Sequence, residues 1–239
     1  MRARWKLAAG ALAGLVLLGG AFAIGFPRYY AWRAEDPEFF ADEIAAFAEE
    51  DQASPPPDGV VVFTGSSSIR LWSTLAEDMA PIPVLNRGFG GSQLEHIIHF
   101  YDQTIVKYLP RAVVLYAGGN DLDAVTGKSA EDVARDFGTL VATVHAYAPG
   151  ARIYYLSIKP SPAQWERWPE MKRANELIAA QCKADPRLTF VDVATPLLGE
   201  DGKPREDVFR FDGRHLNELG YIEWKRVLRP LLCRDLGDC

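Results

Sequence analysis

Cysteine and histidine are scarce in this chain, with three of the first and four of the second in 239 residues. Cys182, Cys233 and Cys239 are too few for a disulfide framework. Cys233 and Cys239 either pair in an oxidising compartment or stay free on a frayed tail, while Cys182 reads as a small core residue. His96 and His99 fall at i and i+3 on an expected helix, but a metal site needs more ligands than this pair. His145 stands in another expected helix with no partner motif, so no metal is expected. Also missing are a glycine loop ending in Gly-Lys-Ser/Thr and a G-x-G-x-x-G opening a helix, so no nucleotide cofactor is expected. No G-x-S-x-G is present, which argues against the nucleophile elbow of the α/β-hydrolases. Basic excess is absent too: the formal charge is −6, and removing the first 23 residues takes away Arg2, Arg4 and Lys6 and moves it to −9. Nucleic acid is therefore not an expected partner.

A long apolar run occurs in one place. Leu7 to Phe26 is an uncharged stretch of 20 residues behind Arg2, Arg4 and Lys6, long enough to cross a bilayer as a helix. The preceding positives orient the remainder outward. Two readings compete, an uncleaved anchor and a secretory signal cleaved after Ala21-Phe22-Ala23. The apolar run continues past that cleavage site, which favours the anchor, and both readings put the following domain outside the cytoplasm.

What remains, at 48% hydrophobic composition overall, is enough for one well-buried domain. Glu35 to Gln52 reads as an amphipathic helix, with Phe39, Phe40, Ile44 and Phe47 toward one face, packing against the domain. Pro55-Pro56-Pro57 is a stiff spacer. Apolar strands are then expected at Val60–Thr64, Val84–Arg87, Ala112–Tyr116, Arg152–Ile158 and Leu188–Val193. Helical segments at Ile69–Asp78, Ser92–Leu109, Ala130–Ala146 and Glu170–Ala184 separate them, and a last helix runs from Asn217 to Leu232. Strand-helix alternation with near-continuous apolar strands predicts a parallel sheet covered on both faces.

Chemistry concentrates at strand ends. Phe211-Asp212-Gly213-Arg214-His215 is an Asp-x-x-His that leads into the last helix and brings a carboxylate within reach of an imidazole. A carboxylate bonded to one ring nitrogen leaves the other free to take a proton from a nucleophile. Val60 to Thr64 is an apolar strand followed by Gly65 and the hydroxyls of Ser66, Ser67 and Ser68. Two further strands run into Asn86-Arg87-Gly88-Phe89-Gly90-Gly91-Ser92 and into Tyr116-Ala117-Gly118-Gly119-Asn120-Asp121. In a parallel sheet all three strand ends fall on one edge. There the N–H of Ser67, backbone at Gly91 and the amide of Asn120 are donors for one developing oxyanion.

These four ordered segments, from Val60 to Tyr221, resemble the SGNH (GDSL-type) hydrolase family. The resemblance implies Ser67 as nucleophile, His215 as base oriented by Asp212, and an oxyanion hole of Ser67, Gly91 and Asn120. Ser66 stands where the family has aspartate, which keeps Ser66 and Ser68 as alternative nucleophiles. The serine run is similar to a GSSS variant of bacterial membrane-linked members. The implied fold is a three-layer α/β/α sandwich around a five-stranded, mainly parallel, flavodoxin-like sheet.

On that reading residues 1–28 are an anchor or signal peptide, 29–57 the amphipathic helix and Pro-rich linker, and 58–239 the hydrolase domain. The expected activity is hydrolysis of carboxylic esters through an acyl-enzyme, on acyl esters of lipids, small alcohols or acetylated sugars, without a cofactor. Acyl transfer to a sugar, or non-catalytic binding of acylated glycans, are the alternatives on the same fold. Trp165 and Trp168, in the connection after Lys159-Pro160-Ser161-Pro162, serve either as an apolar wall for substrate or in packing.

Overall fold

The computed structural model describes residues 36–237 and Cys239; the apolar run 7–26 lies outside the described residues. The chain divides into two compact units, Met1–Phe39 and Phe40–Cys239. Of the first, the described part is a turn in which the Phe39 N–H donates to the Asp36 carbonyl at 3.0 Å. Among the described residues no helix is long and apolar enough to cross a membrane.

The second unit is built on five parallel strands: β1 (Val61–Gly65), β2 (Val84–Gly88), β3 (Ala112–Tyr116), β4 (Arg152–Leu156) and β5 (Leu188–Val191), in the order β2-β1-β3-β4-β5. Side chains alternate across a strand, so two cores form. Val61, Phe63, Val114, Tyr116, Tyr154 and Leu156 share one core with α2 (Ser67–Arg70), α3 (Leu75–Met79) and α8 (Glu218–Leu236). Val62, Val113, Leu115, Ile153 and Tyr155, also buried, are offset by one residue and point to the other side. There α4 (Leu94–His99), α5 (Tyr101–Thr104), α6 (Ala130–Tyr147) and α7 (Trp168–Ala184) lie, and Phe137 of α6 meets Tyr155 edge-to-face at 5.0 Å. The result is a three-layer α/β/α sandwich. It has the expected strands, all parallel.

Two expected helices are broken, each where a bulky group turns inward. The segment 69–78 divides into α2 and α3 because Trp72, between them, is driven into the core, stacking on Tyr221 at 5.1 Å and meeting Phe63 and Trp224 edge-on. Its indole N–H donates to Asp78 at 2.8 Å, which also accepts from Thr74 and closes the turn. The segment 92–109 divides into α4, α5 and a 3-10 turn, Val106–Tyr108. Phe100 and Ile105 are buried at the two breaks, and the Thr104 hydroxyl bonds back to the Phe100 carbonyl at 2.8 Å. Such back-bonding competes with regular helix, and the run Thr104-Ile105-Val106 is β-branched throughout.

The helix α1 (Ala41–Ala53) flanks β2 and buries Ile44 and Phe47. Arg87, in β2 and nearly inaccessible, donates to Glu50 at 3.1 Å and to Asp51, and its Nε donates to the Tyr108 hydroxyl at 2.7 Å. Its guanidinium lies over the Phe47 ring at 4.9 Å. Near the C-terminus Cys233 and Cys239 form a disulfide, and Cys182 is a buried free thiol.

Candidate active site

β1 ends at Gly65, whose φ of 135° suits glycine and whose absent Cβ would lie 2.0 Å from the Tyr116 carbonyl. That approach lets the Ser66 N–H donate to the same carbonyl at 3.0 Å and starts α2 at Ser67. As the first helical residue, Ser67 carries an N–H that its helix leaves without an internal acceptor. Of the three serines, Ser67 has its hydroxyl on a histidine: Oγ and His215 Nε2 are 3.0 Å apart. Ser66 and Ser68 are buried, and the Ser68 side chain is hydrogen-bonded with Tyr116.

The histidine is held by a pinned loop. Asp212 Oδ2 lies 2.6 Å from His215 Nδ1, while Asp212 Oδ1 accepts the N–H groups of Arg214 and His215, each at 2.9 Å. The Arg210 N–H donates to the His215 carbonyl at 2.8 Å, and Gly213 closes back on Arg210 at 2.9 Å. Asn217 caps α8 by accepting from the Gly220 N–H at 3.1 Å, and its amide donates to Asp207 and Phe209 carbonyls. Tyr221 then donates to the Ser68 carbonyl at 3.0 Å, tying α8 to the serine turn. Partial burial pushes the Asp212 carboxyl up, but the bonds from the His215 ring and from the two N–H groups outweigh it and hold it at about 2. A carboxylate so held favours the tautomer with the proton on Nδ1, which leaves Nε2 as acceptor for the Ser67 hydroxyl.

Gly91, after β2, adopts φ 88° and is followed by buried Ser92. Asn120, after β3, donates from Nδ2 to the Ser92 carbonyl at 2.9 Å, so the two loops meet at one edge beside Ser67 and His215. Beneath them Asp121 is fully buried and accepts from the Leu94 and Gly118 N–H groups at 2.9 and 3.1 Å. Burial raises its carboxyl to about 6, against the opposing pull of Lys128. The five residues singled out in the sequence, Ser67, Gly91, Asn120, Asp212 and His215, thus lie on the loops of one sheet edge.

Several neighbours were not foreseen. Arg214 donates to Asn120 Oδ1 at 2.7 Å and to Asp123 at 3.1 Å. Gln164 donates to the Gly119 carbonyl at 3.2 Å. Lys159 is 5% exposed, with its ammonium 5.6 Å from the Tyr116 ring centre and 6.0 Å from that of Phe209. Burial, together with the nearby Arg214 charge, pushes that amine down to about 7, and Asp212 opposes the shift. Trp165 and Trp168 stack on each other at 6.3 Å, half-buried. The expected helical histidines have local roles: His96 Nδ1 accepts the Gln93 N–H at 3.0 Å, and His145 Nε2 lies 3.0 Å from the Ala151 carbonyl. Among the described residues, no group of three or more His, Cys, Asp or Glu is placed to hold a metal ion.

Residues 57–221 match the GDSL-like Lipase/Acylhydrolase family. The chain belongs to that family. Membership carries the general activity, hydrolysis of esters by an acylhydrolase. No curated protein matches the sequence. Solved structures share the fold at low identity. A Streptococcus pneumonia protein named for platelet activating factor is 19% identical, with TM-score 0.73 over 88% of this chain and 99% of that one. A GDSL-like lipase from Bacteroides thetaiotaomicron is 20% identical, with TM-score 0.68 over 80% of this chain and 98% of that one. A catalytic mutant of an acetylxylan esterase from Geobacillus stearothermophilus is 13% identical, with TM-score 0.61 over 76% and 95%.

Proposed function

We propose that the protein is a serine-dependent carboxyl-ester hydrolase acting on acyl esters of lipids, small alcohols or acetylated sugars. The observation that carries this reading is the unbroken chain from Ser67 Oγ to His215 Nε2 at 3.0 Å and from His215 Nδ1 to Asp212 at 2.6 Å. His215 takes the Ser67 proton as Oγ attacks the ester carbonyl, and Asp212 stabilises the imidazolium that forms. Negative charge then develops on the former carbonyl oxygen. The N–H groups of Ser67 and Gly91 and the free hydrogen on Asn120 Nδ2 receive it. His215 returns the proton to the leaving alcohol, and water cleaves the acyl-Ser67 ester by the same route in reverse.

The reading extends to location outside the cytoplasm, either held by residues 7–26 or released after their cleavage. It is supported by the charged-then-apolar start of the chain and by the Cys233–Cys239 disulfide, a bond that persists in oxidising compartments.

Purified full-length protein should hydrolyse an aryl acetate and release free acid. Ser67→Ala should abolish turnover, Asp212→Ala should lower kcat strongly, and Asn120→Ala should lower kcat by about a hundred- to a thousandfold with little change in KM. An organophosphonate adduct on Ser66 or Ser68, or full turnover by Ser67→Ala, would refute the mechanism. A membrane-impermeant phosphonate should label Ser67 on intact cells or in the medium; labelling only after lysis would refute the location.

A further inference from the structure

A cation stands behind the amide of Asn120. Arg214 Nη2 donates to Asn120 Oδ1 at 2.7 Å, and Arg214 Nη1 donates to Asp123 Oδ2 at 3.1 Å. On the other side of the same amide, Nδ2 donates to the Ser92 carbonyl at 2.9 Å. A guanidinium has only donors and a main-chain carbonyl only accepts, so both neighbours demand the same orientation of the carboxamide. Flipped, the NH₂ would face a guanidinium and the oxygen would face a carbonyl oxygen, two repulsions in place of two bonds. In the observed orientation one Nδ2 hydrogen is used at Ser92 and the second is left for a ligand.

We propose that Arg214 is a positioning residue for the oxyanion hole: it holds the Asn120 amide with its nitrogen toward the reacting carbonyl and, as a fixed cation on the amide oxygen, polarises the donating N–H. This rests on the reading of Ser67 and Asn120 given above. Hydrogen bonds in series strengthen one another, so a charge-assisted bond to Oδ1 makes Nδ2 the better donor. Asp123 fixes the far end of the guanidinium, leaving the cation partly balanced and less available to an anionic substrate. Arg214 also joins the two halves of the site. Its main-chain N–H bonds the Asp212 carboxylate, while its side chain reaches an amide 94 positions away. Side-chain substitution leaves the first bond in place and reports on the second.

The test is a double-mutant cycle on a neutral aryl acetate with the full-length protein. Arg214→Met should lower kcat by about tenfold, a fraction of the loss expected for removing an oxyanion donor outright, with KM within about twofold. Arg214→Lys should fall between Met and wild type, because an ammonium is a point charge that cannot bridge both acceptors. In an Asn120→Ala background Arg214→Met should change kcat by less than about twofold, since a residue that acts through the amide has nothing left to act on. Equal losses in both backgrounds would overturn the proposal. So would a loss confined to KM for an ester with an anionic acyl group, which would make Arg214 a substrate-binding residue. If Arg214→Met does not fold, Asp123→Asn loosens the same guanidinium and should give a smaller fall in kcat that also vanishes with Asn120→Ala; wild-type kcat in that variant would overturn the proposal. Wild-type kcat in Asn120→Ala, or turnover by Ser67→Ala, overturns the reading of the site instead.

Discussion

Lys159 is a lysine placed where an ammonium is poorly tolerated, 5% exposed between two aromatic rings and beside the Arg214 charge. Burial pushes its amine down to about 7, whereas an unfolded lysine titrates near about 10.4. Between those values the unfolded chain binds one more proton than the folded one, so stability rises with pH across that window and the full burial penalty is present below about 7. Replacing Lys159 with Met should therefore stabilise the protein most at pH 6. The advantage should shrink by up to about 1.4 kcal/mol per pH unit between pH 7 and 10. Urea unfolding of both proteins at pH 6, 7.5 and 9 measures it, and a pH-independent difference would mean that the ammonium stays solvated. Neither this lysine nor the Arg214 contact was legible beforehand. Both depend on which loops meet across the sheet edge. Ser67, Asn120 and Asp212 were legible because each follows a strand or precedes a helix in a recognisable order.

At the scale of elements, α1 is joined to β2 through one buried arginine. Arg87 is 3% exposed on its side chain, its partner Asp51 is 12% exposed, and Lys107 and Tyr108 also bond that carboxylate. Burial raises the Asp51 carboxyl and these bonds more than offset it, so its proton affinity falls below the ordinary range. Removing the guanidinium takes its charge-assisted bonds from Asp51 and Glu50 and its bond to Tyr108, while Lys107 stays on the Asp51 carboxylate as counter-ion. Arg87→Met should therefore destabilise the domain by about 1.5–3 kcal/mol. A loss below about 1 kcal/mol in chemical denaturation would place the cluster with ordinary surface pairs. The apolar face of α1 was readable from Ile44 and Phe47, whereas Phe39 and Phe40, expected on the same helix, stand in a 3-10 turn, Pro37–Phe40; the strands were readable from their β-branched runs. The breaks in 69–78 and 92–109 were not, because periodicity registers that Trp72 and Phe100 are apolar and says nothing of their displacement from the helix axis. The start of α2 at Ser67 and the end of β4 at Leu156 each lie two residues from expectation, because element ends fray where apolar periodicity carries no signal.

Across the whole molecule, the proposed nucleophile and base come from opposite ends of the domain. Ser67 follows the first strand, His215 stands 148 positions later, and α8 fixes the connection through Tyr221 on Ser68 and Lys225 on Asp78 at 2.9 Å. A polypeptide emerging from its amino end first thus carries its serine without a base until the final helix has arrived and docked. Latency follows from the order of the segments alone, with no propeptide or inhibitor needed. A chain that has not yet docked its last helix has no Ser67–His215 pair with which to cleave an ester. In refolding from urea, phosphonate labelling of Ser67 should keep pace with amide-exchange protection in 218–236. Labelling that runs ahead of that protection would show the serine activated before the helix is in place. The spacing that ties the proposed pair to the last helix is also what keeps an unfinished molecule harmless.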